Sequence, residues 1–317
     1  MIRYTANRLI HTLIVLFLVS LLIFSMTRLI PGDPASLMLE FDASPEQVTA
    51  LRHKMGLDRP IYTQYFFWLK DLVLHGDMGD SMRWNEPVVP LVLERYPRTF
   101  SLVMWGSIVA LIISLVAGII SARKHNTWTD LVITTTAMLG ISVPRFWLGI
   151  LFMLLFAVYL GWLPAIGYVS PGDNLVDYFK HLLMPGTALG LAVGALMTRM
   201  VRSSLLEVLF EGYVTTARAK GLKERVVLWR HALRNALIPV VTLFGIQMGY
   251  MMGGTVVIEQ VFNYPGIGQL IVDAIFRRDY PLIQAGILAY AATFILINFV
   301  TDMLYPFLDP RVKAAES

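Results

Sequence analysis

The sequence contains no cysteine, which excludes disulfides, thiolate metal sites and cysteine nucleophiles together. Charge is scarce as well. Of the 317 residues 15% are charged and 56% apolar, where an ordinary soluble domain carries about 25% charged residues. With a mean hydropathy of +0.62, the chain lacks the polar surface that a water-soluble globule of this size needs. A disordered protein is thereby excluded, and a cytosolic enzyme is disfavoured. Catalytic signatures are missing too: there is no G-x-x-x-x-G-K-[ST], no G-x-S-x-G and no H-E-x-x-H. Gly266 and Gly268 begin like a dinucleotide loop, but Ile271 stands at the third glycine position and no βαβ pattern surrounds it. The residues offer no catalytic, metal or cofactor site and nothing that would read nucleic acid.

What the sequence does have is long uncharged apolar runs, at 9–27, 99–122, 146–163, 182–198, 235–258 and 281–301. Each approaches the roughly 20 residues a helix needs to cross about 30 Å of hydrocarbon. The fold class read from them is all-α, a polytopic bundle with six transmembrane helices. A further apolar piece, 131–143, is too short to cross alone and ends at Pro144 and Arg145. It reads as a short cytoplasmic-side helix leading into the third span, or else as a kinked extension of that span. Arg3 and Arg8 before the first run resemble a signal peptide, but the run is too long and no small-x-small cleavage site follows.

Lys and Arg orient the bundle. With both termini inside, the cytoplasmic segments collect Arg3, Arg8, Arg123, Lys124 and Arg145, then Arg199, Arg202, Arg218, Lys220, Lys223, Arg225, Arg230 and Arg234, then Arg311 and Lys313. The external stretch 30–98 is long enough to escape the charge rule. In it, Ser44, Pro45 and Gln47 start a helix that Gly56 stops. A second helix runs from Pro60 to about Leu74. Its Tyr62, Tyr65, Phe66, Phe67 and Trp68 fit a membrane-interface belt or a docking surface for an external partner.

None of the six runs contains Asp, Glu, Lys or Arg, and His11 sits near the interface. Ion-coupled carriers place such groups at membrane depth, so the energy for uphill transport enters from elsewhere and the pathway carries no fixed charge. Gly186, Gly190 and Gly194, and again Gly245, Gly249 and Gly253, form two tandem G-x-x-x-G rows that let helix backbones approach closely. They pack inside this subunit, pack against a second membrane subunit, or line a pathway that moves.

The loop 203–235 is the most informative stretch. Tyr213, Thr216, Ala217 and Lys220 share one helical face by spacing, and Gly221 can close that helix. The small Ala217 and Ala219 make a slim helix that could enter a groove on a partner; the alternative is a basic helix resting on anionic lipid.

Tyr213, Ala217, Arg218, Ala219, Lys220, Gly221 and Leu222, followed by His231, Ala232, Leu233, Arg234, Asn235 and Ala236, resemble the coupling-loop motif of inner-membrane permeases of binding-protein-dependent ABC importers. The dipeptide, oligopeptide and nickel branch is the nearest. The general motif is E-A-A, three residues, Gly, nine residues, then I-x-L-P. Here Thr215 and Thr216 replace the Glu and first Ala, His231 stands for the Ile and Arg234 for the Pro. Pro31-Gly32-Asp33-Pro34, Gly56-Leu57-Asp58-Arg59-Pro60, Gly76-Asp77 with Gly79 and Ser81, Tyr264-Pro265-Gly266-Ile267-Gly268 and Arg278-Asp279-Tyr280-Pro281 extend the likeness along the chain.

The resemblance implies a type I importer permease with a first transmembrane helix at 1–29, an external segment at 30–98, a permease core at 99–308 holding the coupling loop, and a cytoplasmic tail at 309–317. It also implies a homologous second permease, two cytoplasmic ATPases, an external substrate-binding protein and surrounding membrane lipid as partners. The cargo implied is dipeptides or oligopeptides, with nickel chelates or glutathione as alternatives in the same family. A stand-alone secondary carrier is the rival from another class.

Overall fold

The computed structural model describes residues 2–29, 45–54 and 56–308. Among them every regular element is helical, apart from one isolated antiparallel bridge between Asp80 and Pro87. Helices α1 (Ile2–Leu29), α2 (Pro45–Lys54) and α3 (Ile61–His75) precede the long α4 (Val88–Arg123). Next come α5 (Trp128–Ser142) and α6 (Arg145–Phe152), which runs on as a π-helical stretch, Met153–Tyr159. Then follow α7 (Leu175–Leu209) and the short α8 (Gly212–Ala219). One turn at Glu224–Val226 and a π-helical stretch, Val227–Ala232, lead into α9 (Leu233–Val261), and α10 (Ile267–Arg277) and α11 (Tyr280–Leu308) complete the order. The 31–34 motif, the Ser44 cap and the basic residues Arg311 and Lys313 lie outside the described residues.

Five helices, α1, α4, α7, α9 and α11, are long and apolar enough to cross a membrane. The sixth crossing is shared by α5 and α6, which meet at a bend of 101°. Pro144 causes the break. It has no N–H to continue the helix, and it forces Val143 into an extended backbone, φ −86° and ψ 126°.

This arrangement decides between two readings and corrects one expectation. The segment 131–143 climbs along α7 as the first half of a bent pair with α6, which fits the kinked extension of the third span and not a separate short helix beside it. Asp130 binds Arg202 towards the end of α7 that carries α8, and ten residues on Gly140 packs against Ala195. Arg145, counted above among the cytoplasmic charges, is carried with it into the bundle. Its guanidinium lies over Gly254 of α9, beside Leu189 in the middle of the α7 apolar run. A survey of uncharged runs misses such a residue, because the charge sits in the gap between two short helices.

Among the described residues the most extensive helix pairing is α4 on α7. A Cβ on Gly190 would strike the Gly106 carbonyl, and one on Gly186 the Trp105 ring; Gly194 sits on Ala110 and Ile113. The second glycine row divides. Gly245 packs on Thr301 and Gly249 on the Phe294 ring, both of α11, whereas Gly253 faces open space. Where α4 ends and α5 begins, the buried Asp130 accepts from Ser121 Oγ at 2.5 Å, Asn126 N at 3.1 Å, and Arg202 Nε and Nη2 at 2.7 and 2.8 Å. One carboxylate therefore pins α4, α5 and α7 together.

On the flank, α1 joins α11 through Arg8–Asp302 at 3.2 Å and through Gln284 Nε2 donating to Thr27 Oγ1 at 2.5 Å. The α3 aromatics split between two surroundings. Tyr65 and Trp68 pack on Phe17 and Phe24 of α1, whereas Tyr62 and Phe66 stay exposed.

Replacing Gly190 by Leu is expected to force α4 and α7 apart. Overpacking costs roughly 1–3 kcal/mol, and backbone on the far side leaves little room for relief. Gly253→Ala should be neutral or stabilising by up to about 1 kcal/mol, since only helix propensity changes. Thermal unfolding of the two purified variants in detergent checks this; equal midpoints would contradict the contact.

Candidate functional site

The loop between α7 and α9 is built around a small apolar anchor. Val214 and Ala217, three apart on α8, are buried against Val227, with Val208 and Leu209 beside them. The face expected from spacing is therefore divided. Ala217, at 7% exposure, turns into its own subunit, while Thr216 and Lys220 point outward together with Thr215, Arg218 and Ala219. Of the two small residues, only Ala219 is presented to the surroundings.

Tyr213 reaches sideways to the start of α9. Asn235 Nδ2 donates to its Oη at 2.7 Å, and the hydroxyl donates to the His231 carbonyl at 3.4 Å. His231 thus takes part through its backbone. Arg234 is exposed and makes no hydrogen bond or ion pair among the described residues. Arg218 is the clasp. Its Nη1 donates to the Leu209 carbonyl at 3.3 Å, and its Nε and Nη2 donate to the Glu224 carboxylate at 3.1 and 2.8 Å. Glu224 holds this guanidinium above its ordinary pKa by accepting those bonds. Sequence reasoning missed Glu224, although an opposite charge six residues on, across a glycine turn, was the available signal.

The turn itself rests on Gly221, whose φ of +77° is the left-handed region. Its N–H donates to the Arg218 carbonyl at 2.9 Å, and the next N–H, of Leu222, reaches Ala217 O at 3.4 Å. No atom lies within 4 Å of where a Cβ would sit, so any cost of substitution there comes from the dihedral and not from crowding. Ser204 Oγ donates to the Ala236 carbonyl at 2.7 Å, which ties the stems of α7 and α9 below the loop. No group of three or more metal-ligating side chains occurs among the described residues. The constellation is a loop tied by hydrogen bonds to the two long helices that it joins.

A second polar cluster, at the opposite end of the bundle from α8, explains several glycine motifs. Glu259, fully buried at 0% exposure, accepts from Thr99 Oγ1 at 2.7 Å and Gln269 N at 2.9 Å. Thr99 in turn accepts from Ile267 N at 2.8 Å. Gly266 and Gly268 fold directly over the carboxylate, where any Cβ would collide with it. Likewise Ser81 Oγ donates to the buried Asp279, joining the 76–81 and 278–281 segments. These residues close that end of the bundle, and they bring the 76–81 motif into contact with the 278–281 motif.

Comparison with known proteins agrees with this architecture. Residues 1–103 match the model for the N-terminal part of binding-protein-dependent transport system membrane components, and residues 114–314 match that for binding-protein-dependent transport system inner membrane components. The dipeptide transport system permease protein DppB of Alkalihalophilus pseudofirmus is 41% identical, over 99% of this chain and 100% of its own length. The glutathione transport system permease protein GsiC of Escherichia coli is 42% identical over 99% of both chains. Among solved structures, a chain of the MetNI methionine ABC transporter in an inward-facing conformation superposes with a TM-score of 0.56 at 17% identity. That superposition covers 69% of this chain and 97% of the other.

Gly221→Val should loosen the α8 turn, since a β-branched residue at positive φ costs on the order of 1–3 kcal/mol. Arg218→Gln removes an exposed pair worth about 0.2–1 kcal/mol and should matter less. Hydrogen exchange of amides 212–222 reads the difference. Faster exchange in the first variant than in the second is expected, and equal protection would contradict the turn geometry.

Proposed function

The chain belongs to the family of binding-protein-dependent transport system inner membrane components, and we propose that it forms half of a passage for short peptides. It is a multi-pass permease subunit of an ABC importer, whose ATP hydrolysis resides in separate subunits. The peptide reading draws on two relatives of similar identity named for dipeptide and glutathione transport, since glutathione is itself a short peptide. The proposed complex pairs this chain with a homologous permease, two cytoplasmic ATPases and an external binding protein. Both termini and the 203–235 loop then face the cytoplasm, in keeping with the basic residues of that loop.

The observation that carries the mechanism is the clasped loop between α7 and α9. In this reading α8 enters a groove on an ATPase with its outward face, Thr215, Thr216 and Ala219, while the buried Val214 and Ala217 hold it to its own subunit. Closure of the ATPases displaces α8. The Arg218–Glu224 clasp and the Ser204–Ala236 bond pass the displacement to α7 and α9 instead of letting the loop yield.

Ala219→Arg tests this directly, because the exposed position leaves the subunit's own fold untouched. In the complex reconstituted with both ATPases and a peptide-loaded binding protein, stimulated ATP hydrolysis should fall at least roughly tenfold, the effect of about 1.4 kcal/mol, with the subunit still inserted. A helix lying on anionic lipid would instead tolerate or welcome the added cation, and unchanged stimulation would remove α8 as the coupling element.

A further inference from the structure

The α7 helix has two functional sides. Its Gly186, Gly190 and Gly194 row is pressed on α4. At 100° per residue, positions 192, 196, 199 and 203 fall within an arc of roughly 60° on the side opposite Gly190. That second stripe lines a trough. A cavity of about 360 Å³ holds Arg145, Gln247, Pro144, Ala192 and Leu196. A second of about 490 Å³ holds the same Leu196 with Arg199, Ser203 and Leu243. The two cavities have Leu196 in common and follow one another along this stripe, against α5, the α5–α6 break and α9, from Arg145 towards the end of α7 that carries α8.

Arg145 and Gln247 are the polar side chains of the inner cavity. Among the described residues neither makes a hydrogen bond or an ion pair. An unpaired guanidinium inside a membrane bundle is costly and is found facing a water-filled cavity or a counter-ion. Here the protein supplies the cavity and, in this chain, no counter-ion. The start of α6, immediately after Pro144, adds backbone N–H groups without helical acceptors, which favour the same sign of ligand. A guanidinium fork matches a carboxylate, and a neutral amide alongside can accept from or donate to a peptide bond. A single charge-assisted contact in a half-open trough is strong enough to orient a solute and weak enough to release it.

We propose that Arg145, with Gln247, is a transit site for the terminal carboxylate of a short peptide. The site guides the peptide, carboxylate bound, through the permease towards Arg199. It rests on the peptide-importer reading above, so the test separates the two. In vesicles holding the assembled complex, phenylglyoxal modification of Arg145 is followed by peptide mass spectrometry, with dialanine or its C-terminal amide as protectant.

Dialanine is expected to slow modification at least fivefold and the amide to leave it unchanged. In parallel, Arg145→Gln should lower dialanine uptake per assembled complex at least tenfold, and Arg145→Lys should retain part of it. Protection by dialanine in vesicles that take up no peptide would sink the transport reading while the carboxylate site stands. Arg145 unreactive from the start, as when a carboxylate of the second permease or a lipid phosphate seals it, would overturn the site. Equal protection by the amide, or wild-type uptake in Arg145→Gln, would do the same.

Discussion

The structure depends on one close approach, the Gly106 backbone on Gly190. Lipid gives two apolar helices no hydrophobic reason to associate, so contact must come from tight packing of small residues. With no side chain at either position, α4 and α7 meet backbone to backbone, and α7 is fixed along one line. The Asp130 carboxylate then locks the adjoining ends of α4, α5 and α7. Once the glycine row is committed to α4, the opposite stripe of α7 is left to face a trough. The same helix is packed tightly on one side and lines the two cavities on the other.

The loop is placed to act on that wall. It leaves α7 at Leu209 and enters α9 at Leu233, and both helices contribute to the trough. A soft loop would absorb a push from outside. This one is tied at its base by Ser204, across its middle by Arg218 and Glu224, and at its far end by Tyr213 and Asn235. Individually these exposed bonds add little stability; their role is geometric, because each removes a direction in which α8 could give way.

Much of this was legible in the sequence. The crossings were readable because six apolar runs are separated by charge, and helix stops such as Gly221, left-handed beyond the end of α8, follow from local rules. The glycine rows announced close contacts, though spacing does not say against which neighbour. Three features were not legible for stated physical reasons. Arg145 sits at a proline break, and charge counting along the chain cannot tell a loop at the surface from a break at depth. Ala217 shares its spacing with outward residues, and only the packing of Val227 turns it inward. Glu259 follows the fifth run by one residue, and its burial depends on Gly266 and Gly268 folding over it from a later segment.

The central claim is that displacement of α8 moves the trough wall. Because the chain has no cysteine, Leu196→Cys provides a single thiol where the two cavities meet. Its rate of modification by a water-soluble maleimide is to be measured in the assembled complex, with and without ATP, and then again in the Gly221→Val background. The account predicts that ATP changes the rate in the first case and leaves it unchanged in the second. A rate indifferent to ATP, or an equal response in both backgrounds, would contradict it.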